Sequence, residues 1–260
     1  PTYAQEICSP QYAHGLEDIL NKNSYKLRGI LNGIDYDVYN PATNKSLFVN
    51  YDADHLDKKA ENKTQLQQML GLNVDPGAPL IAMITRLVNH KGIGLVRSAF
   101  NDIMNSGAQF VLLGTGDADH ENFFRHMQNL YGNRVHAAIT FNKDLAQKIY
   151  AAADIFLMPS LSEPCGLSQM IALRYGTVPV ARSTGGLKDS IIDCGDGHSG
   201  NGFVFGGVNA GELIYAVQRA VGLYYVYGDI WKELRQRTVE CDFSWNNSAK
   251  AYQAFYDEMF

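Results

Sequence analysis

Two cations, a carboxylate, an aromatic ring and several glycines stand in four short stretches, each just after an apolar run. Arg86 and Lys91 lie in Thr85-Arg86-Leu87-Val88-Asn89-His90-Lys91-Gly92, and Phe141 stands after a third such run. Glu163 lies in Pro159-Ser160-Leu161-Ser162-Glu163-Pro164-Cys165-Gly166, and Arg182-Ser183-Thr184-Gly185-Gly186 completes the set. A diphosphate needs cations and backbone N–H donors. Arg86 and Lys91 supply charge, and Gly166 and Gly185-Gly186 stand at expected helix starts, where unpaired N–H groups point at an anion. Phe141 could give a base a face to stack on. Glu163 could hold sugar hydroxyls and stabilise positive charge at a reacting sugar carbon, while the two cations stabilise a departing diphosphate.

Each residue also has an ordinary reading. Taken singly, Arg86 and Lys91 fit surface charges, and Glu163 before Pro164 fits a helix-start carboxylate facing the dipole. Cys165 fits a small buried hydrophobe whose backbone N–H matters more than its thiol. Gly185-Gly186 fits a tight turn, and Phe141 fits the core. The Tyr224 to Tyr227 cluster reads as a packing stripe more readily than as a sugar platform.

The elements that must position these residues follow from hydrophobic periodicity. Strands are expected at Leu80 to Ile84, Phe110 to Leu113, Arg134 to Ile139, Asp154 to Met158, Thr177 to Val180 and Gly202 to Phe205. Helical patterns separate them, at Gly94 to Asn105, Glu121 to Tyr131, Lys143 to Ala152, Leu167 to Arg174 and Leu187 to Ile192. Three more follow, at Val208 to Tyr227, Trp231 to Thr238 and Asn246 to Met259. The repetition is βαβ, which predicts an α/β fold: a doubly wound, Rossmann-like parallel sheet with helices on both faces. In such a sheet ligands bind beyond the carboxyl ends of the strands, at the switch point flanked by the first and fourth strands. Arg86 and Glu163 should then face one crevice. The ends read differently. Residues 1–40 hold a helical stretch, then Tyr25 to Leu31 as a strand candidate, then Asn32-Gly33-Ile34-Asp35 as a turn. Residues 41–63 read as a polar loop or linker.

Composition narrows the class. The chain has 260 residues, 46% apolar and 19% charged, with net charge −5. An acidic balance argues against a dedicated nucleic-acid binder, and no run suits a transmembrane helix. The four cysteines show no framework spacing, which fits a reducing cytoplasm. Asp117-Ala118-Asp119 is expected to cap a helix, Asp52-Ala53-Asp54 falls in the polar linker, and no metal is expected. His120 and His126 are expected on a solvated helix face. Gly114-Thr115-Gly116 lacks the third glycine of a dinucleotide fingerprint and follows the second strand, not the first.

Arg86-Leu87-(three residues)-Lys91-Gly92, Glu163-Pro164-Cys165-Gly166-Leu167 and Thr184-Gly185-Gly186-Leu187 together resemble the motif set of bacterial glycogen synthases and plant starch synthases. Tyr3-Ala4-Gln5-Glu6-Ile7, Gly29-Ile30-Leu31-Asn32-Gly33-Ile34-Asp35, Leu113-Gly114-Thr115-Gly116-Asp117 and Asp242-Phe243-Ser244-Trp245 agree with it, in order along nearly the whole chain. The resemblance implies the C-terminal domain of a GT-B enzyme: a retaining glucosyltransferase that takes glucose from ADP-glucose to an α-1,4-glucan, without metal or other cofactor. It implies that Arg86 and Lys91 hold the diphosphate, that Glu163 with the backbone at Cys165 and Gly166 holds the glucose, and that Leu167 belongs to the same nucleotide-sugar site. It further implies that Thr184, Gly185 and Gly186 line the phosphate side and that Phe141 stacks on adenine. It divides the chain into residues 1–40, the tail of an acceptor domain; residues 41–243, the donor domain; and residues 244–260, a helix returning to the first domain. The chain begins at Pro1 without Met, as though cut from a longer protein whose acceptor half lies outside it. The sequence departs from the family pattern at Ser162, where an aromatic is frequent, and at His90, where Gln is common. Ile171 stands where the wider retaining group often places a second Glu.

Overall fold

The computed structural model describes residues 1–259. Six parallel strands, β1 (Leu80–Ile84), β2 (Gln109–Leu113), β3 (Val135–Ala138), β4 (Ile155–Met158), β5 (Val178–Arg182) and β6 (Phe203–Phe205), form one sheet in the order β3-β2-β1-β4-β5-β6. The central strands are buried on both faces, which is why they read as unbroken apolar runs. Alternation then sorts their side chains. Ile81, Met83, Phe110, Leu112, Ile155 and Leu157 pack on one side of the sheet. Leu80, Ala82, Val111, Leu113, Phe156 and Met158 pack on the other.

The first side is covered by α5 (Ile93–Asn105), α6 (Ala118–Tyr131), α10 (Ala210–Val226) and α11 (Gly228–Glu240). The second is covered by α4 (Lys59–Leu70), α7 (Lys143–Ala152), α8 (Ser168–Arg174) and α9 (Gly185–Ser190). Asn142 and Asn209 cap α7 and α10, accepting from Leu145 N and Glu212 N at 2.9 Å each. At the chain start lie α1 (Thr2–Glu6), α2 (Pro10–Ala13) and α3 (Glu17–Lys22), and α12 (Trp245–Asp257) closes the described chain.

Three expectations need correction. Tyr25 to Leu31 is not a strand: Ser24–Lys26 is a 3₁₀ turn, and the chain then runs on without a ladder to a single parallel bridge between Ile34 and Ser244. Its β-forming residues lie against α1 and α12, with Gly29 beside Pro1 and Ala4 and Ser248 Oγ donating to Leu31 O at 2.8 Å. Strand propensity is realised only where a neighbouring strand is there to pair. Residues 32–35 are not a turn either; the turn follows at 36–38.

The linker expected at 41–63 ends early, in a 3₁₀ segment at Ala53–Lys58 and then α4. This helix hides from periodicity because the side it buries is largely polar: Lys59, Asn62, Lys63 and Gln67 join Leu66 there. Lys59 Nζ donates to Tyr150 O, Ala151 O and Thr177 Oγ1 at 2.9, 2.7 and 2.7 Å. Burial, and then the nearby Arg235 charge, push this amine well below the usual lysine range. Lys63 Nζ pairs with Asp154 Oδ2 at 2.7 Å, and the same oxygen accepts Leu80 N at 2.9 Å. The network ties α4 to the amino ends of β1 and β4, opposite the edge where the chemistry gathers.

His136 on β3 gives the fold an acid-sensitive point. Its Nδ1–H donates to Leu70 O at 3.0 Å, and burial holds its pKa below the usual 6.5 although that bond pulls the other way. As pH falls below 6.5 the unfolded chain takes up a proton that the folded chain resists, so this contribution to stability is lost with acid. Urea titrations from pH 7.5 to 5 should show stability falling, and His136→Gln should flatten part of that slope. An unchanged slope in the variant would assign the acid sensitivity to other groups.

Candidate functional site at the β1–β4 switch point

The chain leaves β1 toward β2 and leaves β4 toward β5, in opposite directions along the sheet, so a crevice opens beyond their carboxyl ends. A cavity of about 210 Å³ lies there, with Arg86, Lys91, Ser160, Glu163 and Gly166 among its lining. Arg86 is exposed, and its guanidinium has no hydrogen-bond or ion-pair partner among the described residues. Lys91 ends a 3₁₀ turn, Asn89–Lys91, and Gly92 follows with φ +72. Only glycine fits at 92, since a Cβ would collide with the Pro159 carbonyl. That close approach brings the β1 and β4 loops together. Lys91 Nζ pairs with Glu163 Oε2 at 2.6 Å, and Ser160 Oγ donates to the same oxygen at 3.0 Å. Glu163 is only 7% exposed. Its Oε1 meets no donor among the described residues and is not sealed off, which leaves it to the cavity.

The backbone after Glu163 is set by Gln169. Its Nε2 donates to Cys165 O at 3.0 Å and Gly166 O at 2.9 Å, and contacts Ser190 Oγ at 3.1 Å. With those carbonyls held and Gly166 at φ +72, the N–H groups of Cys165, Gly166 and Leu167 meet no acceptor among the described residues. Burial pushes the Cys165 thiol above its usual pKa, which leaves it a protonated thiol rather than a nucleophile at neutral pH.

The Thr184-Gly185-Gly186 turn finds its hydrogen-bond partners within the chain. Thr184 Oγ1 donates to Glu6 Oε1 at 3.0 Å, Gly185 N to the same oxygen at 2.9 Å, and Gly186 N to Glu163 O at 2.9 Å. These donors are spent within the chain. A Cβ on Gly185 would collide with Glu163 O, and one on Gly186 with Cys165 O. The turn therefore lies beneath the Glu163 backbone and supports it.

A second cavity, of about 490 Å³, adjoins the first and shares Thr85, Arg86, Leu167 and Ser168 with it. Phe141 lines it and is 81% exposed, so this ring is not core. Val38, Tyr39 and Ile171 line the same cavity.

Sequence reasoning missed several supports. His120 is buried rather than solvated, with Nε2 3.0 Å from Asn89 Oδ1 and Nδ1 3.1 Å from Arg97 Nη1, beneath the turn that carries Lys91. Asp117 does occupy the N-cap position of α6 but makes no capping bond; Glu121 Oε1 instead accepts Gly116 N at 3.0 Å. Arg182 was legible only as a cation ending a strand run, with nothing to say that it turns inward. Tyr224 packs edge-on against Trp231 at 5.4 Å, as a packing stripe would, while Tyr225 and Tyr227 stay exposed. Among the described residues no cluster of three metal-ligating side chains occurs, no helix is long and apolar enough to cross a membrane, and the four cysteines are unpaired.

Comparisons with known proteins agree with one another. The family model described as "Glycosyl transferases group 1" matches residues 65–236. The glycogen synthase of Thermosipho melanesiensis is 47% identical over 259 residues, which is 99% of this chain and 54% of that protein. The glycogen synthase of Clostridium beijerinckii is 47% identical over the same length, again 99% and 54%. Among solved structures, the catalytic domain of starch synthase IV from Arabidopsis thaliana, bound to ADP and acarbose, superposes with TM-score 0.93 at 41% identity. That match covers 99% of this chain and 54% of that one. The chain thus spans about half the length of the curated relatives it matches.

Proposed function

The chain belongs to the group 1 glycosyl transferases, and we propose that it is the donor-binding half of a glycogen (starch) synthase, which transfers glucose from ADP-glucose to an α-1,4-glucan with retention. The observation that carries this reading is the meeting of Arg86, Lys91 and a buried Glu163 at the switch point, beside a cavity of a size for a nucleoside. Arg86 and Lys91 take the diphosphate. One Lys91 N–H lies on Glu163, which leaves two for phosphate oxygens. The negative charge that grows on the departing ADP falls to these two cations. The free oxygen of Glu163 meets glucose hydroxyls and the positive charge developing at the reacting carbon. The unspent N–H groups of Cys165, Gly166 and Leu167 face the same ligand, and Phe141 stacks on adenine. Thr184, Gly185 and Gly186 act by holding Glu163 in place.

The rest of the enzyme supplies the acceptor site. Residues 1–40 and 244–260 are the segments by which the donor domain, 41–243, joins that half. They run side by side at the Ile34–Ser244 bridge, and Ser248 Oγ donates to Leu31 O at 2.8 Å.

The clamp is tested by calorimetric titration with ADP. A charge-assisted hydrogen bond is worth about 1.5–3 kcal/mol, so Arg86→Ala should weaken ADP roughly 10- to 100-fold. ADP-glucose should weaken equally, because the lost contact is to the leaving group. Unchanged affinity for both would return Arg86 to the status of a surface charge.

A further inference from the structure

Arg182 is a buried cation that the donor-site reading leaves without a role. It ends β5, is 6% exposed, and meets no carboxylate within ion-pair distance among the described residues. A buried charge without a counter-ion is costly unless hydrogen bonds compensate it. Here they run to the loop that carries Glu163. Nε donates to Ser160 O at 2.9 Å and Nη2 to Leu161 O at 2.6 Å, while Nη1 reaches Gly206 O at 3.2 Å. The planar fork thus grips two successive carbonyls from one side, a geometry that a lysine cannot reproduce.

Ser160 is the next link. It is buried, its carbonyl is on Arg182, and its hydroxyl donates to Glu163 Oε2 at 3.0 Å. With Lys91 on the same oxygen at 2.6 Å, Oε2 is fixed from two directions, and Oε1 is the oxygen left to the cavity. We propose that Arg182, acting through Ser160, is the positioning residue that sets which Glu163 oxygen faces the sugar. The relay makes recognition of the transferred glucose, rather than of the nucleotide, depend on a residue that touches neither. This inference rests on the reading of Glu163 as the glucose-holding group.

Two substitutions test it. Ser160→Ala removes one hydroxyl and leaves the backbone grip intact; Arg182→Lys keeps the charge and loses the fork. ADP and ADP-glucose are titrated calorimetrically into the chain and into both variants. ADP should bind within about twofold of the unaltered chain in each variant, since its contacts lie elsewhere. ADP-glucose should bind about five- to tenfold more weakly, the net worth of one ordinary hydrogen bond, since the carboxylate is turned rather than removed. In a Glu163→Gln background, Ser160→Ala should add little further loss, because coupled residues are non-additive. The relay is overturned if both ligands weaken together, which marks general damage to the loop, or if ADP-glucose affinity holds in Ser160→Ala. An unaltered chain that binds neither ligand overturns the donor-site reading itself, and the relay with it.

Discussion

Glu163→Ala, made in a protein that carries this chain with its acceptor half, should cut glucosyl transfer by about 10²–10³ while ADP affinity survives. Loss of one preorganised electrostatic group at a reacting centre commonly costs that much. The selectivity follows from the geometry. Glu163 is buried beside the cavity with one oxygen held by Lys91 and Ser160 and the other free, whereas Arg86 stands outside that cluster. Removing the carboxylate frees the Lys91 ammonium, which adds to rather than subtracts from the charge available for a diphosphate. ADP should therefore bind as well as before or somewhat better, and the loss should appear in turnover. Steady-state rates with ADP-glucose and glycogen, paired with ADP titration, decide the point. Near-normal turnover removes Glu163 from the chemistry, and loss of ADP binding in step with turnover reassigns it to the phosphate clamp.

The other large effect lies at the opposite edge of the sheet and concerns folding alone. Asp154→Ala should destabilise the chain by about 3–5 kcal/mol, the usual cost of stripping one partner from a buried ion pair. Lys63 would be left buried without its carboxylate, and Leu80 N would lose its acceptor at the start of β1. Tyr224 Oη and Pro76 O, each 3.0 Å from Lys63 Nζ, soften the loss without replacing the charge. Denaturant unfolding measures it. Replacing both partners, with Asp154→Leu and Lys63→Met, should recover much of the loss, because no unpaired charge remains. A single variant within about 0.5 kcal/mol of the unaltered chain, the usual range for neutral surface substitutions, would mean that water or local rearrangement already serves Lys63.

What the sequence revealed follows from what packing makes visible. β1, β2 and β4 are buried on both faces, so their apolar runs stand out, and the helices between them carry one apolar face each. Their order along the chain, with the switch-point rule, was enough to bring Arg86, Lys91 and Glu163 to one crevice. The polar interior stayed hidden. The residues α4 buries, Lys59, Asn62, Lys63 and Gln67, are of types that normally mark a surface, so no hydrophobic period announces the helix. Arg182 and His120 turn inward for the same reason, to satisfy hydrogen bonds that only the folded loops create. Glu6 carries no signal in the sequence beyond its place in a motif, and its partner Thr184 lies 178 residues away. Contacts of that span leave no local pattern. The carboxylate of Glu6 on the Thr184-Gly185 turn also explains why donors that look available in sequence are already spent.

The ligand proposed for the β1–β4 crevice is an adenine nucleotide sugar. Phe141 can stack on any base, so preference must come from the shape and polar edges of the neighbouring cavity, and the nucleotide choice is the sharpest test. Calorimetric titration of the chain with ADP-glucose and with UDP-glucose makes that comparison directly. ADP-glucose should bind saturably at one site, more tightly than UDP-glucose, and Arg86→Ala should abolish or strongly weaken that binding. Equal or tighter binding of UDP-glucose, or no binding of ADP-glucose at millimolar concentration, would contradict it.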